Sequence, residues 1–175
     1  MSKIKSIFLV FILLLFSQSF SFAENKIAYI DLDLILSKSI PSQSLFDQLK
    51  KIEKTELNIL QKKEKEFKDK ENKILSTKNI ISIEEYNKNV IVFKNELENY
   101  QKSKNKIMIG LKNKRNQEVL RFLKQINPLI EKIMEKNSIE ILIEKKNIFI
   151  AKSNYDITKE IIDIININIK EFIVE

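Results

Sequence analysis

The sequence predicts an α+β fold, a small strand-bearing body from which one long antiparallel helical hairpin projects. Three observations point there. Short stretches rich in β-branched residues lie near both ends of the 175-residue chain, with a long charged region between them. Apolar residues in that region recur every three and four positions among Lys and Glu, which marks helical rods. Gly110, Pro41 and Pro128 are the only Gly and Pro residues, so turns are few and elements long. The strands supply little interior for one chain, and oligomerisation is the usual remedy for so small a body. The body is therefore expected to be shared between subunits.

The chain opens with Lys3 and Lys5, an unbroken apolar run Ile7–Phe16, and the small-x-small ending Ser21-Phe22-Ala23. Basic, apolar, then small is the layout of a secretory leader. The run is too short to span a bilayer, which takes about 20 residues. Residues 1–23 are thus expected to be a signal peptide cleaved after Ala23, leaving 24–175 as a single exported domain. Lipid attachment would need Cys after the cut, where Glu24 stands. ATP is scarce beyond the inner membrane, so the function should not require it.

Composition excludes much chemistry. There is no Cys and no His, hence no disulfide framework, no thiolate and no imidazole acid or base. A single Gly inside a helical pattern gives no phosphate-cradling loop. Carboxylates alternate with Lys along helical faces, as solvated ion-pair surfaces do. The nearest acidic pair, Asp31 and Asp33, reads as the end of a strand. No catalytic, cofactor or metal residues are expected, and the chain does not read as an enzyme. The formal net charge is +7. Removing the leader takes two of the 31 basic residues, which against 24 acidic ones leaves an excess of five. Such a surface attracts acidic proteins, nucleic acid or anionic lipid. The abundance of Lys, Ile and Asn is also what AT-rich codon usage writes, so charge alone decides nothing.

Lys26-Ile-Ala-Tyr-Ile-Asp-Leu32 reads as a strand apolar on both faces. Asp33–Ser39 suits a helical turn or two, and Pro41 interrupts the pattern. From Ser42 to about Leu75, Leu45, Ile52 and Ile59 recur every seven residues, and Leu60, Phe67 and Ile74 continue the period one position later. The stripe is thin, as in a coiled-coil seam. Ser76–Asn79 is the expected reversal, and Ser82 with Glu85 fits a capping box. Ile83, Tyr86, Val90, Phe93, Leu97, Tyr100, Lys104, Ile107 and Leu111 then step by three and four, with Lys104 the one polar member. Val119, Phe122, Ile126, Leu129 and Ile133 resume the series, and Pro128 predicts a bend. Ser138–Ile143 returns to strand, Lys145-Lys146-Asn147 turns, and Ile148–Ala151 is expected as the partner strand. Asp156 is placed to cap a last helix, Ile157 to about Phe172.

The body is thus expected from 24–41 and 137–175, and the helical arm from 42–136. Ile27, Tyr29, Ile141, Ile143 and Ile150 are the candidates for a core shared between copies. The run Lys102–Arg115 holds six basic residues and no acid. It lacks the interleaved aromatics of a nucleic-acid reader. Asp47, Glu53 and Glu56, opposite it in the hairpin, are expected to offset part of its charge.

These elements in this order resemble the Skp/OmpH family of periplasmic chaperones. The likeness rests on Lys26–Leu32 as the opening strand. It rests also on Ser138–Glu144, Ile148–Ala151 and Asp156-Ile157-Thr158 as the closing strands and the start of the last helix. The resemblance implies a homotrimer with a small β-barrel body shared between subunits, and one coiled-coil arm per chain around a cavity. It implies an ATP-independent holdase for unfolded outer-membrane proteins, without cofactor or nucleic acid, in the periplasm. Pro128 and Asn137 stand where the family usually has small residues. On the arm, Phe67, Ile74, Tyr86 and Phe93 with Lys62, Lys68, Lys102 and Lys106 are the candidates for client binding, and an anionic lipid surface is a further candidate contact. The competing expectation is a structural coiled-coil protein that links envelope components and holds no client.

Overall fold

The computed structural model describes residues 26–175; the expected leader and its cleavage point lie outside them. The order is β1 (Lys26–Ile30), α1 (Leu32–Lys38), α2 (Ile40–Ser76), α3 (Ile83–Lys136), β2 (Ile139–Glu144) and α4 (Thr158–Asn168). Single 3-10 turns occupy Lys145–Asn147 and Ser153–Tyr155. Helices dominate, and the described strands form one two-stranded sheet.

The sheet is parallel, with Ile27 opposite Ile141, Ala28 opposite Leu142 and Tyr29 opposite Ile143. A parallel pair needs a crossover, and here the whole helical hairpin is that crossover. Its two rods pack against each other, and at 1.5 Å per residue the 37 residues of α2 span roughly 55 Å.

Local chemistry sets the boundaries. Asp31 caps α1, its Oδ1 accepting from the Leu34 amide at 2.9 Å. Ser39 is extended and separates α1 from α2. Pro41 sits in the first turn of α2, where its missing N–H is no loss, so the helix starts slightly earlier than Ser42. The Ile40 amide finds its acceptor in Asn166 Oδ1, 2.7 Å away on α4. Ser82 caps α3 through the Glu85 amide. α3 runs through Pro128, which is exposed, so the carbonyl that loses its donor can meet water.

The core lies where the root of the hairpin meets the body. Ile30, Ile35, Leu45, Phe122, Ile126, Ile133, Ile161, Ile165, Ile169 and Phe172 form one buried cluster. The sheet contributes one face to it, through Ile30 and Leu142.

Two expectations are corrected. Ile148–Ala151 is not a strand: Phe149 and Ile150 stand almost wholly exposed. One edge of β1 is taken by β2, and the other meets Asp156 through a bridge at Tyr29, where the Ile157 amide donates to the Tyr29 carbonyl. Both edges of β1 are thus engaged, and Ile148–Ala151 does not pair with the remaining edge of β2. The last helix ends at Asn168, not near Phe172. The tail beyond it is extended and inserts Phe172 edge-on against Phe122, ring centroids 5.6 Å apart.

The step from α3 into β2 passes through Ser138, whose φ is +54°. This is the left-handed region that helix ends reserve for Gly. Replacing Ser138 with Gly is expected to raise stability by about 0.5–1 kcal/mol, read as a higher midpoint in urea unfolding with unchanged slope.

Candidate functional site

Two surfaces remain after the core is filled: the outer face of the sheet and the length of the arm. Ile27, Tyr29, Ile141 and Ile143 alternate with the core-facing residues, so the pleat sends them to the opposite face. Ile27 is 44% and Ile141 48% exposed, whereas Tyr29 is largely covered. Ile27, Tyr29, Ile143, Ile148, Ile150 and Tyr155 line an open groove of 510 Å³. The five residues expected at a shared core thus stand around one face of the body, although Ile150 belongs to an extended segment rather than a strand.

Asp31 fixes this region. Its amide donates to Thr158 Oγ1 at 2.8 Å, and its Oδ2 pairs with Lys145 Nζ at 2.9 Å. The Lys145 hydrogen bond, with that from the Leu34 amide, holds the Asp31 carboxyl below the usual carboxylate range. Asp156 Oδ1 accepts from the Thr158 amide at 2.9 Å and from its hydroxyl. The end of β1, the turn after β2 and the start of α4 are tied at one point. The acid expected as a cap for α4 therefore orients Thr158 toward β1.

Along the arm, Phe67 lies edge-on to Phe93 at 6.1 Å and against Tyr100 at 5.0 Å. Phe67, Ile74, Tyr86 and Phe93 are partly buried, whereas Lys62, Lys68, Lys102 and Lys106 are exposed. Lys102 pairs with Glu98 at 2.6 Å. Lys104, the polar member of the seam, meets Glu64 on α2 at 2.6 Å, and the Tyr100 hydroxyl donates to the Leu60 carbonyl at 3.1 Å. The Lys104 hydrogen bond and charge hold Glu64 below its ordinary pKa. The arm therefore closes on a thin mixed seam, with Leu60 its one fully buried apolar residue between Leu45 and the tip among the described residues.

At the arm root the tail acts as a strap. The Gln48 amide group donates to the Phe172 carbonyl and accepts from the Val174 amide at 3.1 Å. Arg121 stacks on the Phe172 ring at 4.2 Å, pairs with Glu118 at 2.6 Å and donates to the Ile173 carbonyl. Glu118 is buried and also accepts from the Glu175 amide at 3.3 Å. No sequence pattern marked these residues, because the strap is irregular and its partners lie more than fifty positions away.

Asp47, Glu53 and Glu56 form no ion pair with the basic run; its pairs go to Glu98, Glu64 and Glu118 instead. The expected offset is thus not made by direct contact. Among the described residues no His, Cys, Asp and Glu side chains group as a metal site would require, and no helix is long and apolar enough to cross a membrane.

The family model for outer membrane proteins of the OmpH-like type matches residues 26–165. Among solved structures, a candidate outer membrane chaperone (OmpH-like) from Caulobacter crescentus CB15 is similar with a TM-score of 0.77. The two chains are 12% identical, over 86% of this chain and 89% of that one, so the likeness is one of fold. No curated protein sequence matches.

The strap should respond to acid. Burial raises the Glu118 pKa, but the Arg121 hydrogen bond and charge, with the Glu175 amide and Lys114, outweigh it and leave the carboxyl below its ordinary 4.5. Its stabilisation is complete above that value and is lost as pH falls through the lower folded value. Glu118→Gln is expected to cost about 1–2 kcal/mol at neutral pH, a figure reduced for the partly exposed Arg121. The gap to the wild type should narrow below about pH 4. Urea unfolding of both chains across pH 3–7 checks this.

Proposed function

This chain belongs to the OmpH-like family, and from that premise we propose that it is a chaperone of the cell envelope. It works as an ATP-independent holdase in the periplasm, exported by the leader of residues 1–23 and cut after Ala23. Three copies join bodies formed by 24–41 and 137–175 into a shared β-barrel, and the arms of 42–136 enclose a cavity. Unfolded outer-membrane proteins are held there before insertion.

The observation that carries this reading is the outer sheet face. A body with Ile27, Ile141, Phe149 and Ile150 exposed is unfinished as a monomer, and copies of the same chain would bury those residues by adding Ile148–Ala151 as a strand to a neighbour. A holdase must grip many sequences weakly and release them. Thin apolar stripes set among charges offer shallow contacts of that kind, and a basic interior draws in acidic unfolded chains. An arm with little buried area between Leu45 and its tip can splay to fit clients of different size.

The chain is expected to suppress aggregation of a denatured β-barrel protein diluted into buffer without nucleotide, followed by light scattering. No suppression at several-fold trimer excess would count decisively against the reading. Ile141→Asp separates assembly from folding. Ile141 is half exposed in the single chain, so the charge costs an isolated copy little, whereas in a shared core it would be buried unpaired. The variant is expected to keep its helix content and to lose both assembly and holding. An intact, active assembly would contradict the core assignment.

A further inference from the structure

Beside the arm root the seam opens. On α2, Leu45 is wholly buried and Leu60 nearly so, but Phe46, Leu49 and Ile52 between them are not. Opposite them on α3, Met108 and Leu111 are likewise uncovered. The gap is a groove of 590 Å³ with these five apolar side chains as its floor. Lys50, Lys112, Lys114 and Arg115 rim it, against one carboxylate, Glu53. Arg115 stands over the Phe46 ring at 5.3 Å, and Lys114 leans to Glu118 at 3.6 Å. Lys50, Lys112 and Arg115 enter no ion pair among the described residues. The only Gly of the chain, Gly110, lies on this stretch of α3 with open space where a Cβ would be.

Both sides of this root do not look alike. Ser44 and Gln48, which hold the strap, lie roughly half a turn around α2 from Phe46, Lys50 and Glu53. One side of the seam is thus closed by the chain's own tail. The tail also displays the chemistry this root accepts: an extended segment, an aromatic ring beneath a guanidinium, and an acidic residue, Glu175, paired with Arg121 at 3.2 Å. The other side offers the same kind of walls and holds nothing of the described chain. Eight residues of helix give it a length of about 12 Å, enough for three or four extended residues.

We infer that the groove between Phe46–Glu53 and Met108–Arg115 is a docking subsite for an extended, acidic and apolar peptide segment. This rests on the chaperone reading and adds a fixed point to it: a client is gripped at the arm root by an aromatic or aliphatic side chain on the floor, with its carboxylates against Lys50, Lys112 and Arg115. Peptide is favoured over lipid because about 12 Å of groove is short for an acyl chain and the opposite side already seats polypeptide.

The test uses the full chain in its assembled state. The probes are a fluorescein-labelled unstructured peptide of Phe, Leu and Glu, the same peptide with Lys for Glu, and phosphatidylglycerol vesicles. The acidic peptide is expected to bind, more weakly as salt rises, and the Lys50→Glu/Lys112→Glu/Arg115→Glu variant to bind it about tenfold more weakly. The Lys peptide should show no such loss. Met108→Trp, which fills the groove without changing charge, should weaken the acidic peptide too. Equal affinity of wild type and both variants for the acidic peptide would overturn the inference. So would vesicle binding that both variants abolish while peptide binding stays intact. The parent reading is scored separately, by aggregation assay on the wild type. Suppression there with unaltered peptide binding in the variants sinks the subsite and leaves the chaperone standing.

Discussion

Everything in this molecule depends on a sheet that has two apolar faces and only one fully covered. The chain's own helices pack against Ile30 and Leu142, and Ala28 beside them is buried. Ile27, Tyr29, Ile141 and Ile143 are sent the other way by the pleat, and among the described residues Ile141 is left half exposed and Ile150 almost wholly so. Two strands are too few to stand alone in water. The parallel pairing deepens the constraint, since it can form only after the whole hairpin has left the body and returned. Folding of the body and projection of the arm are therefore one event.

The arm is built differently. Its seam is held by a few aromatic contacts around Phe67 and by the Glu64–Lys104 pair, with Tyr100 hydrogen-bonded across to the Leu60 carbonyl. A polar seam contributes little stability, but it sets the register of the two helices, which a stripe of interchangeable aliphatic residues would leave free to slip. The root is then locked by the strap, where Phe172, Gln48 and Arg121 bind the tail to both helices. Rigidity at the root and a thin seam beyond it give a lever anchored at one end.

How far the sequence alone discloses this varies with how local the cause is. The boundary at Ser82 was legible because capping chemistry acts within four residues, and the break read at Pro41 lies two residues earlier, at Ser39; Asp31, read as the end of a strand, is instead the cap of α1. The two rods followed from their period, and the side of the sheet occupied by Ile27 and Tyr29 from strict alternation. Ile148–Ala151 misled because its β-branched and aromatic content announces a strand, while within the single chain it pairs with neither β1 nor β2. The strap and the groove were illegible for a related reason: both come from pairings between residues tens to more than a hundred positions apart, such as Gln48 with Phe172 and Phe46 with Arg115. A trace of the groove was visible as an acid-free basic run, Lys102–Arg115, yet only the fold shows which of its cations keep no partner. The candidate arm residues Phe67 and Phe93 were found by their period, and the fold sets them against each other in the seam.

The most direct measurement is the solution mass of residues 24–175 by sedimentation equilibrium at micromolar concentration. The account predicts three copies per particle, because only sister chains offer the strand edges and apolar surface that the open sheet face lacks. A compact particle of one chain, stable on dilution, would mean that this face is content in water, and would contradict it.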